Sequence, residues 1–99
     1  MARPAPAVTR ALQIIDLLVA HPTERFTLSQ LVQRTGMSLG SAHAVLAVLE
    51  QSGYVSRHRT QKTYTLGPAL VAAGVAALAQ HPAIQVATEQ LPKLASELG

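Results

Sequence analysis

Residues 27–53, TLSQLVQRTGMSLGSAHAVLAVLEQSG, predict two short helices joined by a glycine-containing turn. Thr27 and Gln30 have the spacing of a capping box, in which each side chain binds a backbone N–H group at the start of a helix. The apolar residues that follow predict a helix over 28–35. Gly36 then supplies the left-handed residue that ends such a helix.

The second helix of this pair is predicted over 39–51, with Ser38 as its N-cap. Its expected buried residues recur three and four positions apart, as one face of a helix requires. About three residues separate the two helices, which is the spacing of a helix-turn-helix. The expected buried residues are Ala42, Val45, Leu46 and Leu49.

A β-hairpin is predicted directly after this pair, because the apolar period changes from 3.6 to 2. Residues 54–57 and 63–66 alternate and are rich in strand-forming types. The polar, basic residues 58–62 join them as a tip. Phe26 is expected to begin a short extended stretch earlier in the chain. The order helix, turn, helix, hairpin predicts a mainly α fold with a small β-hairpin wing, a winged helix-turn-helix.

Further helices are predicted on both sides of this unit. The spacing of Val8, Leu12, Ile15 and Val19 indicates a first helix over 8–20. A linker helix over 68–80 is followed by a C-terminal helix over 83–98. The expected organisation is a flexible arm, a winged domain, a linker or dimerisation helix, and the start of a truncated or absent effector-binding domain. These occupy residues 1–7, 8–67, 68–82 and 83–99.

Composition and charge narrow the possible functions. The chain has 99 residues with a net charge of +3 and no cysteine. Residues 1–67 carry seven basic and three acidic groups, whereas residues 68–99 carry one and two. The basic excess therefore lies where a polyanion could be met. The longest apolar run has 11 residues, too few for a membrane span.

Neither a metal site, nor a cofactor, nor catalysis is expected from the distribution of polar residues. The four histidines lie far apart in sequence and show no i, i+4 pairing. The five acidic residues are scattered, and no glycine-rich phosphate loop or Ser/His/Asp arrangement is present. The sequence thus favours a cytoplasmic binding protein over an enzyme.

The helix over 39–51 is the expected recognition helix, lying in the major groove of DNA with its first residues near base edges. Ser38, Ser41 and His43 carry groups that hydrogen bond to bases or phosphates, and Gly40 lets the backbone approach closely. The simpler interpretation is an ordinary exposed helix face.

Cations cluster on the predicted wing, where Arg57, His58, Arg59 and Lys62 fall within six residues. A basic hairpin tip at residues 57–62 suits the DNA backbone or the minor groove. The competing interpretation is a solvated basic turn.

The first two helices and the arm add weaker candidates for DNA contact. Arg10 near the start of the first helix conflicts with the helix macrodipole, which hints at an external anion. Ser29 and Gln30 lie at the start of the second helix, where free N–H groups favour phosphate. Capping explains Gln30 equally well, and Arg3 in the arm is a further candidate.

The linker helix has an almost uncharged, alanine-rich stripe that predicts contact with a second subunit. Its small residues would let two helices approach closely. The alternative is packing onto the winged domain alone. The expected dimer contacts are Leu70, Val71, Gly74, Val75 and Leu78.

Six segments stand together in the order and spacing of a known family: VTRAL at 8–12, TGM at 35–37, LAVLE at 46–50, GYV at 53–55, YTLGP at 64–68 and LPKLA at 91–95. The first four resemble the N-terminal domain of IclR-type transcription regulators, and YTLGP resembles the end of the wing and the start of the linker in that family. LPKLA resembles the first helix of the family's effector-binding domain. The resemblance implies a dimeric or tetrameric repressor or activator of transcription. It also implies a small-molecule effector that binds only through a C-terminal domain absent here.

Two positions depart from that family's pattern. Leu39 stands where a basic residue is usual, and Ala44 stands where arginine is usual. A bidentate arginine–guanine contact contributes about 1–3 kcal/mol of base discrimination. The departures put strong sequence-specific readout by this helix in question. They are also what the rival hypothesis expects, namely a protein-interaction or dimerisation module that uses the winged fold without reading DNA.

Overall fold

Four helices and a small antiparallel sheet make up residues 5–81 of the computed structural model, which describes no other part of the chain. The prediction for Arg3 and the predicted helix over 83–98 lie outside these residues. None of the described helices is long and apolar enough to cross a membrane. In chain order the elements are α1 Pro6–Ala20, β1 Phe26–Thr27, α2 Leu28–Thr35, α3 Leu39–Gln51, β2 Val55–His58, β3 Thr63–Leu66 and α4 Pro68–Gln80.

Helix α1 begins at Pro6, two residues before the predicted start. A proline fits the first turn of a helix because its missing N–H group would have no intrahelical partner there. Arg10 therefore lies beyond the first turn, and the conflict with the macrodipole on which its prediction rested does not exist. The apolar positions of α1 fall on two sides of the helix, only one of which is buried. Ile14 and Leu18 face the core, whereas Val8 is 58% exposed.

The helix-turn-helix follows the local signals of the sequence. The Thr27 Oγ1 accepts from the Gln30 backbone N at 3.2 Å, and the Thr27 N donates to the Gln30 Oε1 at 2.8 Å, which confirms the capping box. Gly36 has a left-handed φ of 74° and donates its N–H to the Val32 carbonyl. Ser38 caps α3 by accepting from the Ser41 N at 3.1 Å.

The sheet has three strands in the order β1-β3-β2, one more than the predicted hairpin. The extended stretch at Phe26 pairs antiparallel with β3, so that Phe26 faces Tyr64. The first hairpin strand runs over Val55–His58, one residue later than predicted. His58 is thus part of the strand, and the turn closes with Lys62 at a left-handed φ of 54°.

The core lies between the helices and this sheet. Its fully buried side chains come from all three helices of the winged unit and from the first hairpin strand. Of the residues expected to be buried in α3, Ala42, Leu46 and Leu49 are buried and Val45 is only half-buried. The largest fully buried side chains are Ile14, Leu18, Leu31, Leu46 and Val55.

Helix α4 is fixed at its start and unsupported along its length. The Gly67 N donates to the Tyr54 carbonyl at 2.8 Å, and the Ala69 N donates to the Gly53 carbonyl at 2.9 Å. A Cβ at the buried Gly67 would lie 2.8 Å from the Val55 N and closer still to the Gly53 carbonyl. Beyond this anchor, no residue of α4 is buried against residues 5–81.

Candidate nucleic-acid interface

A groove of about 670 Å³ lies between the start of α2, the exposed face of α3 and the hairpin. Each of these elements contributes both polar and apolar lining. The lining consists of Thr27, Leu28 and Ser29 from α2 and its cap, His43, Ala47 and Glu50 from α3, and Arg57, Gln61, Lys62 and Tyr64 from the hairpin.

Four residues predicted separately to contact DNA meet in this groove: Ser29, His43, Arg57 and Lys62. The helix-turn-helix angle brings α2 beside α3, and the hairpin folds back against α3 because Val55 is buried in the core. The sequence assigned these side chains to three different elements. The fold places them around one opening.

The cations of the groove are not neutralised from within. Among residues 5–81, Arg57, Lys62 and Glu50 have no oppositely charged partner within 4.0 Å. The Arg57 guanidinium carbon instead lies 6.0 Å from the centre of the Tyr64 ring, within the range of a cation–π contact. Two unpaired cations on an exposed hairpin leave their charge available to an external anion.

The other predicted contacts lie outside the groove lining. Arg10 is half-buried on α1, and Arg59 is exposed at the hairpin turn. Gln30 and Ser38 use their side chains to cap α2 and α3, as described above. Gly40 and Ser41 lie in the first turn of α3, with Gly40 exposed and Ser41 half-buried.

Sequence reasoning missed three polar residues at this site. Gln61 lines the groove, and its Oε1 accepts from the Arg25 Nη1 at 2.9 Å. Arg25 lies far from the hairpin in sequence and reaches it because β1 pairs with β3. No local pattern marks that pairing. The sequence places Glu50 near the end of the predicted helix over 39–51, but its position in the groove depends on the direction of the hairpin.

A second groove of about 360 Å³ lies between the start of α1 and α3. It contrasts with the first because its lining contains no charged or hydrogen-bonding side chain. Val8, noted above as exposed, is part of its lining. The lining residues are Ala7, Val8, Ala11, Ala44, Val45, Val48 and Leu49.

Helix α4 displays the stripe that the sequence assigned to a dimer contact. Val71 is 69% exposed and Val75 is 63% exposed, and Gly74 between them is also exposed. Leu70 and Leu78 are half-buried. Residues 5–81 contain no group of three or more side chains suited to hold a metal ion.

The helix-turn-helix and the hairpin around one shared groove define a winged helix-turn-helix domain, as predicted. The profile of the IclR helix-turn-helix domain matches residues 7–59, more than half of the chain. This protein belongs to the IclR family, which confirms the resemblance inferred from the sequence.

Individual relatives agree with this assignment. The chain is 33% identical over 81 residues to the "Glycerol operon regulatory protein" of Streptomyces coelicolor, an alignment that covers 82% of this chain and 32% of the relative. It is 31% identical to the crystal structure of an IclR transcriptional regulator from Alicyclobacillus acidocaldarius, with a TM-score of 0.72 over 76% of this chain and 30% of that one.

A second solved structure gives the same picture. The repressor BlcR of Agobacterium tumefaciens is 25% identical, with a TM-score of 0.69 over 90% of this chain and 35% of that one. The chain thus spans about a third of the length of the relatives that it matches.

Proposed function

We propose that residues 8–67 form the DNA-binding domain of a transcription regulator that acts in the cytoplasm as a homodimer. The observation that carries this proposal is the groove in which Ser29, His43, Arg57 and Lys62 meet between the recognition helix and the wing. Family membership supports it and disfavours the rival protein-interaction module, and no catalytic role is proposed.

Each side of the groove has a distinct role in this proposal. Helix α3 enters the major groove with His43 toward base edges, and Ser41 and Ser38 lie near the backbone. Arg57, Arg59 and Lys62 bind phosphates or enter the adjacent minor groove. Ser29 and Gln30 at the start of α2 add phosphate contacts that fix the orientation of the domain on the duplex. The guanidinium of Arg10 on α1 adds a further phosphate contact through its charge alone.

The stripe on α4 supplies the homodimer contact in this proposal, through Leu70, Val71, Gly74, Val75 and Leu78. The supporting observation is that α4 leaves its valines exposed instead of packing onto its own winged domain. Two domains joined in this way would place their recognition helices about one DNA turn apart, on a roughly palindromic site. A small-molecule effector would act through a C-terminal domain whose start is residues 83–99.

Titration of DNA binding against salt tests the DNA-binding role. We expect the 99-residue chain to bind a labelled duplex of roughly 30 base pairs, with log affinity falling by about 0.9 per log unit of salt for each phosphate neutralised. Lys62→Ala should lower this slope by about one and weaken binding to all sequences alike. Fluorescence anisotropy at several salt concentrations measures both quantities.

Arg34→Ala is the matched control, because it removes the same charge from an exposed residue outside the groove. Arg34 lies 5.7 Å from the centre of the Phe26 ring, so the midpoint of thermal unfolding should be measured alongside. The salt slope of Arg34→Ala should lie closer to that of the unmodified chain than the slope of Lys62→Ala does. Equal slopes for both variants, or no duplex binding at low salt, would contradict the proposal.

A further inference from the structure

The recognition helix lacks the side chains that usually read guanine. Residues 39–51 contain no arginine, lysine or asparagine, so α3 has no cation for bidentate contact with a guanine edge. The Ser38 oxygen already accepts from the Ser41 N, which leaves it less free to contact DNA. His43 is the one exposed side chain in the first two turns of α3 that carries a hydrogen-bonding group. What α3 offers to DNA is therefore mainly apolar.

The apolar stripe of α3 consists of Leu39, Gly40 and Ala47, on the face that borders the groove. Leu39, His43 and Ala47 are four residues apart, which places them one above another on the helix. His43 and Ala47 line the groove beside Lys62, so Leu39 continues the same line toward the start of the helix. Leu39 is 59% exposed, so its side chain is accessible to a surface outside the domain.

Gly40 adds to this stripe by leaving space next to Leu39. A Cβ at Gly40 would meet no atom within 4 Å, and its φ is not left-handed. Neither packing nor backbone conformation inside the domain requires glycine there. A glycine within a helix is destabilising relative to alanine, but it allows a surface outside the domain to approach the helix backbone closely.

We propose that the stripe of Leu39, Gly40 and Ala47 recognises the C5-methyl groups of thymines in the major groove, so that the preferred site carries A·T pairs opposite the start of α3. The inference rests on the DNA-binding function proposed above and names the bases that the helix prefers. Thymine is the base that presents an apolar group in the major groove, and apolar side chains contact it favourably.

The surroundings of the stripe favour DNA over a protein as its occupant. An apolar partner surface would have to lie against Arg57 and Lys62, which form no ion pair within 4.0 Å among the described residues. A duplex satisfies both features at once, because its phosphates meet the wing cations while thymine methyl groups meet the stripe. A protein occupant remains a measurable outcome of the experiment below.

Replacing thymine by uracil tests the proposal, because uracil lacks only the methyl group and keeps the same pairing. A preferred duplex is first selected by the 99-residue chain from a randomised pool and then synthesised in both forms. We expect the thymine form to bind about three- to fivefold more tightly for each contacted methyl group. Leu39→Ala should lower this thymine-to-uracil ratio, because the largest apolar side chain of the stripe is lost while Ala47 remains.

Lys62→Ala is the control, since it should weaken binding to both duplexes equally and leave the ratio unchanged. Binding with a ratio of one for the unmodified chain would overturn the thymine proposal while leaving the DNA-binding function intact. Absence of binding to any selected duplex would instead defeat the DNA-binding function itself. A change in the oligomeric mass of Leu39→Ala, with an unaltered ratio, would show that the stripe serves a protein partner and overturn the inference.

Discussion

The wing groove and helix α4 are opposite kinds of surface on one small domain. The groove carries Arg57 and Lys62, which form no ion pair within 4.0 Å among residues 5–81, whereas α4 contains no charged residue and exposes Val71 and Val75. A surface of unpaired cations attracts a polyanion, and an exposed apolar helix tends to be covered by another apolar surface. Under the proposed function, binding of nucleic acid and association of subunits would therefore use separate parts of the chain.

The largest expected effect comes from a substitution at Gly67, where the hairpin of the groove joins α4. Gly67→Ala should lower the free energy of unfolding by about 2–4 kcal/mol, because the added Cβ collides with backbone atoms of Gly53, Tyr54 and Val55. The same collision should displace the two backbone hydrogen bonds that anchor α4. Urea denaturation followed by circular dichroism measures this loss.

Gly74→Ala is the control for that experiment, because a Cβ at Gly74 meets nothing within 4 Å. It should not lower the free energy of unfolding of the winged domain. An unfolding midpoint for Gly67→Ala equal to that of the unmodified chain would show that α4 is not held by this junction.

The proposed association of two chains through α4 can be tested by adding a charge to its exposed stripe. Val75→Glu should raise the dimer dissociation constant by roughly 10- to 100-fold, since each carboxylate would face its symmetry-related copy in an apolar contact. Sedimentation equilibrium at several protein concentrations measures the constant. Ala76→Glu is the matched control, because it adds the same charge to the other side of α4. Equal loss of association in both variants would place the interface elsewhere.

The smallest expected effect comes from Gly40→Ala in α3, which should change stability and DNA binding in opposite directions. Gly40→Ala should raise the free energy of unfolding by about 0.5–1 kcal/mol, since alanine is the better helix former and has open space around it. It should also weaken duplex binding by up to about tenfold, a change of roughly 1.4 kcal/mol, because the backbone can no longer approach DNA as closely.

Thermal unfolding and anisotropy on the same protein samples reveal these opposite signs. Gly74→Ala is the control for both measurements, because it should stabilise α4, which lies outside the groove, without weakening duplex binding. If Gly40→Ala bound the selected duplex as tightly as the unmodified chain, close approach of α3 at this residue would be ruled out.

Several elements could be predicted to the residue because their signals are local. The capping box of Thr27 and Gln30 and the stop at Gly36 fix the bounds of α2, and Ser38 fixes the start of α3. Each of these contacts joins residues three or four positions apart, so both partners lie within one short stretch of sequence. Two predictions of strand and helix bounds failed by one or two residues, where Pro6 and Val55 extend or shift an element.

The candidate site was only partly predictable. Arg57 and Lys62 stand out because they are cations in a short hairpin, and His43 stands out on a helix with few polar groups. Arg25 and Gln61 carry no comparable signal, because their hydrogen bond joins residues 36 positions apart. Their proximity follows from the pairing of β1 with β3, which buries Phe26.

Local sequence was sufficient for the order of helices and hairpin, the caps of α2 and α3, and the charge of the wing, because each depends on neighbouring residues. The side of α1 that faces the core was not predictable in this way, since Ile14 and Leu18 are buried by contact with distant elements. The same holds for the glycine that close backbone approach requires at residue 67 and for the position of the wing beside α3. Contacts between residues far apart in the chain set these features, and no local pattern encodes them.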